Sequence, residues 1–153
     1  MSGTSNYPPY EPNAKGFTEA LIDFKDTLAG RTVYSVAGFE SVAFENVAQV
    51  QPLYARSSDG KLGLARAAGS VDEARVVGFA QTSKSAGQTV RCLVFGNLAT
   101  SGLDAGELYF LSTGYGGITS TAPSGSGEYM TRVGEAISSA SLHVSLEPPV
   151  KVG

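Results

Sequence analysis

The side chains able to do acid–base or nucleophilic chemistry are few: one histidine, His143, one cysteine, Cys92, and carboxylates spread singly along 153 residues. His143 alternates with Leu142 and Val144 within residues 141–147, which places it on the polar face of a strand beside Ser145 and Glu147. A hydrolytic triad would need the fold to bring a serine and an acid to it, and the chain has no G-x-S-x-G elbow to present the serine. A lone histidine also puts metal sites built on two or three imidazoles out of reach. Cys92 has no second cysteine to pair with, and in the apolar run 90–95 it acts as a small hydrophobe. Asp104, Glu107, Glu128 and Glu135 fall at turns and strand ends. A glycosidase pair needs two carboxylates facing across a cleft, and spacing along the chain defines no such pair. Residues 114–117 carry glycines without the lysine or the strand-to-helix context of a phosphate loop, so they read as a turn. No catalytic residue, metal ligand or cofactor is assigned, which points to a protein that works by binding.

The elements that would position these residues are short strands. Residues 102–149 contain four of them, at 107–112, 118–121, 128–138 and 141–147, separated by the glycines of 114–117 and the Pro-Ser-Gly loop 123–127. The same order occurs once earlier. Leu53-Tyr54 matches Leu108-Tyr109, the turn at Asp59-Gly60 matches Gly116-Gly117, and residues 75–80 (RVVGFA) match 131–136 (TRVGEA). Strand 89–95 corresponds to 141–147, with Ser83 and Ser139 in like positions. The matched pairs lie about 55 residues apart, the mark of two copies of one β-unit. Two copies are too few for a solenoid. The expected fold is mainly β, a small barrel or sandwich made of two similar units at about 33–96 and 102–149, with a pseudo-twofold relation between them.

Ahead of this β-domain, taken as residues 31–153, lies an N-terminal region of residues 1–30. Tyr7-Pro8-Pro9-Tyr10 and Pro12 favour an extended, polyproline-like arm, since proline fixes φ and drives its predecessor to extended geometry. A disordered terminus is the other reading of the same residues. Phe17, Ala20, Leu21, Phe24 and Leu28 then fall at helical spacing, with Gly30 as the stop. Their stripe needs cover, from the β-domain or from a neighbouring protein. Strands are expected at 32–36, 41–45 and 47–54, with Pro52 at an edge or bulge. Residues 67–74 read as a loop, and 96–103 as the link between units. Strand 89–95 puts Arg91, Leu93 and Phe95 on one face and Val90, Cys92 and Val94 on the other, so Leu93 and Phe95 are candidate interface residues, with Tyr7, Pro8, Pro9, Tyr10, Phe17, Leu21 and Phe24.

Composition agrees with a binding role. Charged residues are 16%, below the roughly one quarter usual in soluble domains, while glycine and hydroxyl residues are plentiful. A surface of that kind suits packing against other proteins. A net charge of −3 without clustered Lys or Arg argues against a nucleic-acid partner. No run approaches the roughly 20 apolar residues of a membrane span, and residues 1–16 lack the charged start and apolar centre of a secretory signal.

The run from Gly102 to Pro149, with Gly102-Leu103, Gly106, Tyr109, Leu111-Ser112, Gly116-Gly117-Ile118-Thr119, Pro123, Tyr129, Arg132-Val133-Gly134, Ala136, Leu142 and Val144, resembles a module of tailed-bacteriophage virion proteins. The module occurs in capsid decoration (cement) or head-fibre proteins and in some tail-associated ones. The first unit, with LYARSSDGKLGLA and VVGFA, resembles the element that commonly precedes it, so the likeness covers about residues 33–149. It implies a non-enzymatic structural protein, a homotrimer bound to the major capsid protein. Such a protein is made in the host cytoplasm and placed on the outer capsid surface of the virion. A tail or fibre component that recognises a host surface is the other role the module serves.

Overall fold

The computed structural model describes residues 38–153. The expected arm and helix, with Tyr7, Pro8, Pro9, Tyr10, Phe17, Leu21 and Phe24, lie outside the described residues. The rest is mainly β, in two five-stranded antiparallel sheets. The first contains β1 (Gly38–Val42), β2 (Pro52–Ala55), β3 (Leu62–Leu64), β4 (Gly78–Ala80) and β5 (Thr89–Leu93), in the order β1-β5-β4-β2-β3. The second contains β6 (Phe95–Ala99), β7 (Leu108–Leu111), β8 (Ile118–Thr119), β10 (Arg132–Ser138) and β11 (Ser141–Ser145), in the order β6-β11-β10-β7-β8. Counted in chain order, both sheets run first, fifth, fourth, second, third. A two-stranded ribbon pairs β9 (Tyr129–Met130) with β12 (Val150–Lys151).

The repeat read from the sequence is therefore a repeat of topology, and the strand registers fix its alignment. Leu53 faces Gly78 as Tyr109 faces Gly134; Tyr54 faces Gly63 as Phe110 faces Thr119; Ala55 faces Leu62 as Leu111 faces Ile118. Each matched residue lies 56 positions after its partner, so Leu53 corresponds to Tyr109 and not to Leu108. The Leu-Tyr likeness misleads by one position, and in a strand one position exchanges the faces. Turn glycines obey the corrected register: Gly60 and Gly116 both adopt left-handed φ, at 73° and 70°. In the fifth strands Leu93 corresponds to His143, because Phe79 faces Leu93 as Glu135 faces His143. There the shift falls to 50, since residues 81–88 join β4 to β5 whereas 139–140 suffice between β10 and β11.

Other boundaries differ from expectation for local reasons. The run 89–95 breaks at Val94, so β5 closes the first repeat and Phe95 opens the second; the supposed link at 96–103 carries β6. Residues 43–50 are irregular apart from single bridges at Ala43 and Val47. Val50 there takes φ 67°, a left-handed conformation that costs a β-branched residue roughly 1–3 kcal/mol. Pro52 begins β2, a place where its missing N–H removes no ladder bond. Within the expected loop 67–74 sits a one-turn helix, α1 (Val71–Ala74), started by a capping box in which the Ser70 hydroxyl accepts from the Glu73 amide and the Glu73 carboxylate accepts from the Ser70 amide.

Alternation along the strands sorts the buried residues into two cores. Leu53, Leu62, Ala80, Val90 and Cys92 point to one face of the first sheet, with Ala43 and Val47 over them. Its edge strands approach closely enough for a parallel bridge between Ala43 and Leu62, so this sheet curls around its own core. No corresponding bridge joins the edges of the second sheet among the described residues. The opposite face of the first sheet, with Tyr54, Phe79 and Leu93, is buried in a second core with Leu98, Tyr109, Leu111, Val133, Ala136, Leu142 and Val144 of the second sheet. The contact joins unlike faces: Leu93 is inside it, and its counterpart His143 is outside. A twofold axis would bury both or neither, so the relation between repeats is head to tail and not the expected pseudo-twofold. Hydrogen bonds between the β3–β4 connection and the second repeat fix the seam: the Ala67 N–H donates to Ser112 O at 2.8 Å, and the Thr131 hydroxyl donates to Ala74 O at 2.6 Å.

Candidate interaction surface

The head-to-tail packing leaves the outward face of the second sheet uncovered by the described chain. Its residues come from adjacent strands at matching register. Phe95 lies opposite Ser145, Asn97 opposite His143, His143 opposite Glu135, and Glu135 opposite Leu108. The inward alternates Leu142 and Val144 are fully buried, which fixes this orientation. Phe95 is 56% exposed, and its ring meets the His143 imidazole edge to face with centroids 5.2 Å apart. On its other side the His143 Nδ1 is 3.3 Å from Asn97 Oδ1. Leu108 and Ile137 are exposed on this sheet too, Ile137 at the bulge between Ala136 and Ser138. Arg132 reaches Glu147 at 3.6 Å, while its Nε is buried and finds no acceptor among the described residues.

Gly134 explains how β10 and β11 come so close beneath this surface. A Cβ there would stand 2.2 Å from the His143 carbonyl oxygen, so only glycine fits. Tight pairing holds Glu135 and His143 side by side on this face. Cross-strand contact between Phe95, His143 and Asn97 orders three side chains before any partner arrives, which lowers the entropy lost on binding.

The expected site residues divide accordingly. Phe95 is on the surface. Leu93 is not an available interface residue: it ends β5, is 7% exposed, and packs with Phe79 in the core shared by the two sheets. The sequence placed Leu93 and Phe95 on one strand face, but they belong to different repeats. Leu108 and Ile137, which join Phe95 on the open sheet, were not among the candidates; only the alternation of His143 with Leu142 and Val144 pointed to this face.

His143 hydrogen-bonds to Asn97 and to no serine or cysteine among the described residues. Burial pushes the Cys92 thiol up to about 12, so it stays protonated inside the first core. No group of three or more His, Cys, Asp or Glu gathers among the described residues, and no helix there is long and apolar enough to cross a membrane. No protein-family model matches the chain, and no curated protein matches its sequence.

Proposed function

We propose that this chain is a non-enzymatic virion structural protein of a tailed bacteriophage, a decoration or cement protein that binds the outer capsid surface and stabilises the shell. The observation that carries the reading is the exposed face of the second sheet, where Phe95, Leu108 and Ile137 surround the ordered His143–Asn97 pair. The matching face of the first sheet is buried by protein, and the exposed Phe95, Leu108 and Ile137 side chains gain from being buried in turn. The partner is the major capsid protein, with further copies of the chain as a homotrimer. The resemblance of residues 33–149 to decoration and head-fibre modules points the same way.

A shell under pressure from packed DNA fails where capsomers part. A protein attached across such a boundary opposes parting by the area it buries, about 800 Å² on each partner in a standard interface. Attachment at several points raises the effective affinity without any new contact. A rigid sheet face suits this task, because little ordering is left to pay for on docking.

The test is titration of the purified protein onto shells assembled without it, followed by heating. Wild-type protein saturates regular sites and raises the temperature at which shells rupture. Phe95→Ser binds about tenfold more weakly or worse, as expected for an aromatic anchor, while its own unfolding midpoint stays near wild type because Phe95 is exposed. Shells left bare by the wild-type protein would overturn the reading.

A further inference from the structure

At the seam between the repeats a cleft of about 260 Å³ is lined by Phe44, Glu45, Tyr54, Leu64, Glu73 and Tyr115. Three of these residues are aromatic and two are carboxylates. Phe44 and Tyr54 stand edge to face, with centroids 6.0 Å apart and planes at 80°. Tyr115, 56% exposed, comes from the second repeat, and its turn is docked by the Gly116 N–H donating to Ala65 O at 2.8 Å. Glu45 uses one oxygen to accept from the Leu64 amide at 2.8 Å and forms no ion pair among the described residues. Glu73 is held by the capping box of α1 and by Arg66 at 3.4 Å.

Two guanidiniums lie nearby but outside the lining: Arg56, 4.1 Å from the Phe44 ring centre and paired with Asp59, and Arg66, 4.3 Å from that of Tyr115. The lining thus presents aromatic rings and two carboxylates; Arg66 offsets the charge of Glu73, which leaves Glu45 as the lining carboxylate without an ion pair among the described residues. Burial raises the Tyr54 phenol above its ordinary pKa, and the Glu73 and Glu45 carboxylates raise it further against an opposing effect of Arg56.

We infer that this cleft binds an alkylammonium head group, supplied by a lysine side chain of a partner protein or by a free methylated ammonium compound. Aromatic faces attract such cations through the ring quadrupole. The half-buried carboxylates act through a medium less screening than water. Leu64 offers contact to an alkyl stem. A neutral group of the same shape would keep the apolar contact and lose both electrostatic attractions. The site is not repeated at the matching place in the first repeat, because the residue matching Tyr115 there is Asp59, already paired with Arg56. It stands independently of the virion reading, since none of its residues lies on the open face of the second sheet.

The test is a chemical-shift titration of the full chain with n-butylammonium, with choline, and with 3,3-dimethyl-1-butanol, the uncharged isostere of choline, at matched ionic strength. At least one cation should give saturable shifts at Tyr54, Tyr115 and Glu45, with the alcohol about tenfold weaker or more. Tyr115→Leu and Glu45→Gln should each weaken binding several-fold while the His143 signals stay in place; glutamine retains an acceptor for the Leu64 amide. Tighter binding of n-butylammonium assigns the cleft to a lysine, and tighter binding of choline to a methylated ammonium. The inference is overturned if neither cation gives saturable shifts, if the alcohol binds as well, or if Tyr115→Leu binds unchanged.

Discussion

Phe79 and Leu93 in the first repeat occupy the positions of Glu135 and His143 in the second, yet one pair is buried between the sheets and the other faces outward. Both repeats share one strand order, the left-handed glycines at 60 and 116, and an inward alanine at 80 and 136. What differs is the outward side chain on strands four and five. Apolar residues there let the first sheet accept the second, and a charged residue beside an imidazole keeps the second from accepting a third. The backbone plan makes two like sheets, while a few outward positions decide that they stack once, head to tail, and stop.

The comparison can be broken most sharply at its matched pairs. Phe79→Ala should cost about 3–5 kcal/mol, the usual range for emptying a buried aromatic site, whereas Glu135→Ala should stay within about 0.5 kcal/mol. Urea unfolding of both variants measures this, and equal losses would mean that the two outward faces are not inequivalent. Next come the glycines that follow the same register. A Cβ at Gly134 meets the His143 carbonyl oxygen at 2.2 Å, while at Gly78 its nearest contacts are 3.0 and 3.1 Å. Gly134→Ala should therefore cost roughly 3 kcal/mol and Gly78→Ala roughly 1, again read by unfolding.

A smaller effect separates the connections between third and fourth strands, which hold α1 in the first repeat and β9 in the second. Ser70→Ala removes the cap and should cost about 1 kcal/mol, with Ser70→Asp restoring most of it. The smallest effect concerns the positions of Asp59 and Tyr115. Hydrogen bonds from the Arg56 side chain and then the Lys61 amide lower the Asp59 carboxyl from 3.8 to about 2. Because the folded pKa is depressed, this contribution is complete above pH 3.8 and is lost as pH falls through about 2. Asp59→Asn should flatten the acid dependence of the unfolding midpoint in that window, and a wild-type slope in the variant would count against the pairing.

How much of this was legible follows from which signals are local. Period-two alternation at 141–147 and the VGFA/VGEA likeness revealed strands and a duplication, because side-chain direction and turn glycines are written locally. The one-residue alignment error at Leu53 and Leu108 arose because residue likeness does not report which face a strand buries; only pairing with Gly78 and Gly134 does. Leu93 and Phe95 could not be separated, since a strand that ends at one sheet and resumes in the next looks continuous along the chain. β6 was hidden by Gly96 and Asn97, residues that usually mark turns. The capping box at Ser70 and Glu73 is written in the sequence as S-x-x-E, but the single turn it starts is too short to show helical spacing of apolar residues. Nothing local placed Tyr115 beside Phe44 and Tyr54: that cleft exists only once the repeats have packed.

The most direct measurement is cryo-electron microscopy of shells decorated with the purified protein. The account predicts regular density at equivalent lattice positions, with the face bearing Phe95, Leu108 and His143 turned against the major capsid protein. Bare shells, or decorated shells in which that face points to solvent, would contradict it; bare shells would direct the search to the tail and to a host-surface ligand.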